Sequence, residues 1–308
     1  MLKCLDFPKT RMMTPTDGER LTARPEVVFF LFFLVYSISN TLGTFLFRGL
    51  VALAPLVCPN RLNYATAVLL QLFSTAAMLV GVLLFCRLAE RRSLCSLGFT
   101  RRGAVWEYGI GLLGGLGLFG SAVLLCVLTK TLTIQISPER TSPGFLALFL
   151  LGFLIQGMAE EVLCRSYLMV SLSRGWPVWV CALLNSLLFS ILHLGNDNVS
   201  VIALVNIFLF GMFASMLTLR RGSIWMAGAV HSMWNFAQGN LFGIPVSGIQ
   251  GLPSPLSSRL ESGTLRELLN GGAFGLEGGL SVTVVLLAGC AVILAAPTKR
   301  SERVDRDL

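Results

Sequence analysis

Charge is scarce in this sequence: Asp, Glu, Lys and Arg make up 13% of its 308 residues, against 54% hydrophobic residues and a mean hydropathy of +0.75. A soluble domain of this length cannot enclose so much apolar surface, which excludes a water-soluble globular protein and implies several bilayer crossings. Histidine is scarcer still, with two in the whole chain. The eight cysteines (Cys4, Cys58, Cys86, Cys95, Cys126, Cys164, Cys181 and Cys290) contain no C-x-x-C pair and are read as small apolar residues, not as disulfide or metal-ligand positions. Ahead of the first apolar run, MLKCLDFPKTRMMTPTDGERLTARPE has no apolar h-region. No cleavable signal is expected there, and the first run is read as a retained anchor. No short-period repeat, low-complexity tract or nucleic-acid motif is present, so no nucleic-acid partner is expected.

What the chain has in plenty is apolar runs. A helix needs roughly 17 to 25 apolar residues to cross the hydrocarbon core. Eight runs qualify, at about 27–47, 64–86, 105–128, 144–172, 177–194, 199–219, 223–241 and 278–296. The expected fold is all-α: a polytopic transmembrane helical bundle of about eight spans. It divides into a cytoplasmic amino-terminal segment (1–26), the bundle (27–296) and a cytoplasmic tail (297–308). Cytoplasmic loops carry the excess of Lys and Arg. With both termini inside, 17 of the 24 basic residues fall on the cytoplasmic side, including Arg87, Arg91, Arg92, Arg101, Arg102, Arg174, Arg220 and Arg221. The net charge of +8 then reflects this bias and attraction to anionic lipid, which makes membrane lipids the expected partners. The plasma (inner) membrane is the expected location.

Three loop and span features carry further expectations. Residues 87–104, RLAERRSLCSLGFTRRGA, read either as a short amphipathic helix at the headgroups or as an ordinary basic loop. Residues 242–277, rich in Gly, Ser and Pro, read as an extracytoplasmic excursion that turns briefly helical at SRLESGTLRELL. GIGLLGGLGLFG (109–120) predicts close helix packing.

Against this background, residues 158–168, MAEEVLCRSYL, stand out. Ionisable side chains inside a span cost a few kcal/mol each and mark functional sites by default. They are few: Glu160, Glu161 and Arg165 in the fourth span, His193 in the fifth and His231 in the seventh. Residues four apart share a helix face, so Glu161 and Arg165 can pair while Glu160, about 100° round the helix, points elsewhere. His231 and Asn235 are also four apart, and Asn185, Phe189 and His193 form one stripe of the fifth span. A carboxylate held away from bulk water holds a proton more readily and can take one from a water molecule. A nearby imidazole can share that task, and a second imidazole with a carboxamide offers donors to an oxyanion. The residue types suit a hydrolase that uses water directly. No Ser or Cys is placed as a nucleophile, Ser232 pointing to a different face from its neighbour His231. Glu160, His193 and His231 also match the ligand types of a catalytic zinc site, although H-E-x-x-H is absent, so a zinc cofactor stays open beside none at all.

The three patterns EEVLCR (160–165), FSILH (189–193) and HSMWN (231–235) resemble the E-E-x-x-x-R, F-x-x-x-H and H-x-x-x-N/D signatures of the CPBP intramembrane proteases. That family includes type II CAAX prenyl endopeptidases and bacterial bacteriocin-processing and self-immunity (Abi) proteins. The resemblance covers about residues 90–240, including LGFTRR before the third span. It implies an intramembrane endopeptidase acting on a membrane-associated peptide or lipopeptide. Glu160 and His193 would activate water, His231 and Asn235 would stabilise the oxyanion, and Glu161, Arg165 and Phe189 would support the site. Both metal-dependent and glutamate-type members are described in the family, so the resemblance leaves that choice open. A non-catalytic immunity or interaction protein and an ion-coupled transporter are the alternatives. Paired broken helices, the hint of an inverted-repeat transporter, are not apparent.

Glu160 and His231 fall near the middle of their spans and His193 at the end of its own. For the three to meet, LGNDNVS must dip into the bundle, and Asn196, Asp197 and Asn198 are expected to border a hydrated cavity.

Overall fold

A computed structural model describes residues 10–14, 18–20, 24–57 and 63–296. Cys4, Cys58, Lys3, Lys9, Arg61 and the 297–308 tail lie outside the described residues, so the readings made on them stand as sequence expectations.

All eight apolar runs are helical. They correspond to α1 (Pro25–Val57), α2 (Tyr64–Ser74) with α3 (Ala76–Leu84), α4 (Ala104–Leu128), α5 (Pro143–Glu161) with α6 (Val170–Leu172), α7 (Val178–Ile191), α8 (Val201–Arg221), α9 (Trp225–Phe236), and a last helix, Leu280–Ala295. Local sequence explains several boundaries. The Ser142 hydroxyl accepts from Phe145 N just before Pro143, and Ser200 caps α8 through Ala203 N. Gly222 ends α8 with φ +61°, a left-handed conformation suited to glycine. Beyond Glu161 the fourth run does not stay α-helical: Val162–Met169 winds as a wide π-type helix before α6.

Five of these segments, Pro25–Pro55, Tyr64–Ala89, Ala104–Leu128, Pro143–Leu172 and Val201–Arg221, are long and apolar enough to cross a membrane. Val178–Ile191 and Leu280–Ala295 are shorter apolar helices. Large apolar side chains such as Phe30, Phe45, Leu113 and Val292 point outward, an arrangement water would penalise and lipid would not. The protein is an integral, multi-pass membrane protein.

The all-α expectation needs one correction. Leu132–Ile136 (β1) and Leu256–Leu260 (β2) form an antiparallel two-stranded ladder, Leu132 opposite Leu260 and Ile136 opposite Leu256. Five-residue strands leave too short a pattern to read against long apolar helices. SRLESGTLRELL is helical only from Thr264 to Asn270 (α10); its first residues belong to β2. With α10 placed, the last helix, Leu280–Ala295, is α11.

The expected close packing of α4 is local. At Gly111 and Gly115 an added Cβ would meet the α9 backbone at Met226 O (2.7 Å) and Val230 O (2.5 Å), whereas Gly109, Gly117 and Gly120 face open space. Two of the glycines therefore bring α4 against the helix that carries His231 and Asn235.

The basic loop after α3 is neither a surface helix nor loose. Its regular structure beyond residue 90 is a single 3-10 turn, Cys95–Leu97, with Leu97 buried. Arg92 is fully buried and donates to Ser96 O (2.8 Å) and Ser166 O (3.1 Å), while the Ser166 hydroxyl donates to Leu97 O (2.6 Å). Arg92 also lies 3.5 Å from Glu90, and Arg174 lies 4.0 Å from Glu19. Burial holds the Glu90 carboxyl above the usual carboxylate range and lowers Arg174 to about 10. Desolvation thus outweighs the pairing at both. Nearby, Ile224 N donates to Gly98 O and the Trp225 indole to Thr100 O, so the arginine-bearing loops gather at one end of the bundle.

Candidate active site

The site starts on α5. Gln156 and Glu160 share a face, and Gln156 Nε2 donates to Glu160 Oε1 at 2.5 Å. Glu160 Oε2 has no hydrogen-bond partner and lies 3.7 Å from His231 Nε2. Glu161, fully buried, turns the other way: its Oε1 accepts from Arg165 Nη1 at 2.9 Å and lies 2.9 Å from His231 Nδ1. Adjacent carboxylates thus face opposite edges of one imidazole, Glu161 bonded to it and Glu160 beyond hydrogen-bond reach.

The remaining pattern residues join through the same hub. The Arg165 guanidinium sits 4.5 Å from the centroid of the Phe189 ring, within cation–π range. The Phe189 carbonyl lies 2.7 Å from His193 Nδ1. With the proton on Nδ1, that bond leaves His193 Nε2 bare as an acceptor. Asn235 Nδ2 donates to Gln156 Oε1 at 3.0 Å, so one glutamine bridges Glu160 and Asn235. Phe189 and Phe210 flank His231 with ring centroids 6.0 and 5.0 Å away.

Glu160, Phe189, His193, His231 and Asn235 all line a single cavity of about 550 Å³. Glu161 and Arg165 are not on its wall; they lie behind His231 and are inaccessible to solvent. Asn185, expected on the stripe of Phe189 and His193, is buried and turned to α8, where it donates to Ser215 Oγ (3.0 Å). The Ser232 hydroxyl donates back to Gly228 O. Of the three turn residues, Asn196 and Asp197 line the cavity and Asn198 does not.

Several lining residues had no signal as site residues. Gln156 differs from its neighbours in being polar, and its spacing of four from Glu160 was the available clue. Asn206 of α8 and the distant Ser247 and Glu277 also reach the cavity wall. Glu277 Oε2 accepts from both the amide and the hydroxyl of Ser247 at 2.8 Å, and Asn206 Nδ2 donates to Glu277 O and Gly279 O at 2.8 Å each. The loop after α9 is thereby fastened over the rim.

The zinc alternative requires Glu160, His193 and His231 to converge as ligands. Among the described residues, no group of three or more His, Cys, Asp or Glu side chains is arranged to hold a metal ion. His231 has one ring nitrogen at Glu161, and the Nδ1 of His193 is at a main-chain carbonyl. Both are contacts of the kind that orient a ligating imidazole and leave its Nε2 available, so the residue types still suit zinc although the side chains are not gathered as a cage.

Residues 142–237, the stretch from the cap of α5 to the end of α9, match the family model described as type II CAAX prenyl endopeptidase Rce1-like. This stretch is similar to Rce1-like domains, consistent with the CPBP family, and it contains all three patterns. The chain is also 27% identical over 144 residues to an uncharacterised 24.3 kDa protein of Escherichia coli, a match that covers 46% of this chain and 64% of that protein. The similarity therefore spans less than two thirds of that relative's length.

Proposed function

We propose that the Rce1-like domain of this chain is an intramembrane endopeptidase that hydrolyses a peptide bond of a membrane-associated peptide or lipopeptide. The observation that carries the reading is the unpartnered Oε2 of Glu160, which shares one cavity wall with His193, His231 and Asn235. Glu160 takes a proton from water as the oxygen adds to the scissile carbonyl carbon, with His193 Nε2 accepting a hydrogen bond from the same water. Its Gln156 bond aims the carboxylate. His231, anchored at Nδ1 by Glu161 and protonated at Nε2, donates with Asn235 to the oxyanion. When the C–N bond breaks, the proton held by Glu160 passes to the leaving amine. Arg165 neutralises Glu161 and, stacked on Phe189, holds the carbonyl that orients His193.

We further propose eight crossings with both termini cytoplasmic, in the inner membrane. The helicity of all eight apolar runs and the gathering of the basic loops at one end support this topology.

The test uses purified full-length protein and a quenched lipopeptide. Glu160→Gln, which keeps shape and hydrogen bonding, lowers turnover by about 10²- to 10⁴-fold, the range for a lost general base. Full turnover in that variant refutes the role given to Glu160, and binding without turnover in the wild type favours an interaction protein. A chelator such as 1,10-phenanthroline leaves turnover unchanged on this reading. Loss that zinc restores would reassign the chemistry.

A further inference from the structure

We propose that Tyr36, Asn40 and Gln71, which α1 and α2 bring to the cavity from outside the matched stretch, form a subsite that hydrogen-bonds the main chain of the substrate beside the scissile bond. This subsite rests on the hydrolase reading above and gives it a way to hold a peptide.

α1 contains one polar stretch, YSISNT (36–41), and its faces divide the work. Ser39 is buried against Gly81 of α3, whereas Tyr36 and Asn40 line the cavity. Tyr36 and Asn40 are four apart on α1, Gln71 and Thr75 four apart on α2, so each pair lies on one helix face. Gln156 and Glu160 repeat that spacing on α5. Three helices therefore turn a polar pair into the same space.

Polar side chains within spans commonly tie helices together by hydrogen bonds. Among the described residues, the side chains of Tyr36, Asn40 and Gln71 form no such tie, while Gln156, Asn206 and Asn235 are engaged within the protein. The Thr75 hydroxyl is spent as a donor on Leu72 O at 2.6 Å. Asn40 and Gln71 are both exposed, so their carboxamides are available to whatever occupies the cavity.

What suits these groups is another amide. A peptide bond brought to Glu160 exchanges water for the cavity wall, and its flanking N–H and C=O groups need new partners there. A carboxamide offers N–H donors and a carbonyl acceptor, the complement of a peptide unit, and a phenol adds one donor and one acceptor. The lining residues from α1 to α3 include no Lys, Arg, Asp or Glu, so this wall has no charge with which to select a charged side chain. Main-chain bonds of this kind hold an extended segment whatever its side chains, and they fix the register that presents one bond to Glu160.

The test uses the quenched lipopeptide of the activity assay, and copies of it altered at single amides flanking the cleaved bond, either N-methylated to remove the donor or thionated to weaken the acceptor. Asn40→Leu and Gln71→Leu break no bond within the protein. Each is expected to lower kcat/KM by about 3- to 10-fold, the worth of one hydrogen bond, mainly through KM, with the melting temperature in detergent unchanged or raised. An altered amide is expected to weaken wild type by a similar factor and to cost little more in the variant that has already lost its partner. Asn40→Ala and Gln71→Ala serve as second variants, with the same losses expected. A melting temperature lowered in both substitutions of one residue makes that residue a tie between helices and overturns the inference, as do unchanged kcat/KM and losses that add at every altered amide. Binding of the same peptide, fluorescently labelled, to Glu160→Gln protein reads the subsite without turnover. Adding Asn40→Leu and Gln71→Leu together is expected to weaken that binding by about 10- to 100-fold, and equal binding overturns the inference. Failure of the hydrolase reading is recognised separately, as turnover equal in wild type and Glu160→Gln.

Discussion

Glu161 and Glu160 are chemically identical neighbours with different surroundings, and the difference is set by a single step round the helix. Glu161 meets Arg165 and His231 out of reach of solvent, and Glu160 meets Gln156 and the cavity. Gln156 is a positioning residue, because it touches both Glu160 and Asn235. Replacing it by Leu removes two buried hydrogen bonds, each costing about 1–3 kcal/mol when one partner is left unsatisfied. The expected outcome is a lower melting temperature and a fall in kcat of about tenfold or more with KM nearly unchanged, measured by a thermal melt in detergent and by steady-state kinetics on the folded fraction; a loss confined to KM would mean Gln156 binds substrate instead. The ionisable residues around this site could be read from sequence because intramembrane charge is costly and helical spacing is regular. Gln156 could not, since an uncharged amide in an apolar run gives no comparable signal, and Asn185 shared a helical stripe with His193 yet faces a different neighbour.

Helices position these residues through a few points of contact. Gly115 lets α4 approach the α9 backbone within 2.5 Å of where a Cβ would stand. Gly115→Ala is expected to cost about 1–3 kcal/mol of stability through overpacking, while Gly117→Ala, which faces open space, leaves the melting temperature unchanged or slightly raised. Both are read from detergent melts, and equal effects would show that the contact is not tight. At the end of the bundle where the arginine-bearing loops gather, Arg92→Met leaves Glu90 and the Ser166 carbonyl without their partner, and a loss of about 3–5 kcal/mol is expected. Apolar run lengths gave most helices nearly to their ends, but α1 runs to Val57, ten residues beyond the expected 47, and the second run divides into α2 and α3. The folding of the 87–104 loop into the core did not follow from its composition, because Arg92, beyond its local partners Glu90 and Ser96, is held by partners on a distant segment, Ser166 and Ser171.

At the scale of the whole molecule the ladder between β1 and β2 has a direct check. Thr133 and Arg259 are Cα partners, so cysteines placed at both fall within the span a disulfide bridges. If the ladder lies on the extracytoplasmic side, where thiols oxidise, the double variant Thr133→Cys/Arg259→Cys is expected to cross-link spontaneously in intact cells, seen as a mobility shift that reductant reverses. A pair that stays reduced until an oxidant reaches the cytoplasm would place the ladder on the other side. The cavity rim was the least legible feature in the sequence, since Ser247, Glu277 and Asn206 meet through hydrogen bonds between remote parts of the chain that no local pattern encodes. The same remoteness bears on how the protein is made. β2 leaves the ribosome long after β1, when every helix bearing a pattern residue has already been synthesised, and pairings this far apart in sequence are slow to close. A nascent chain therefore holds its acid and imidazole groups before Ser247 and Glu277 complete the cavity wall around them.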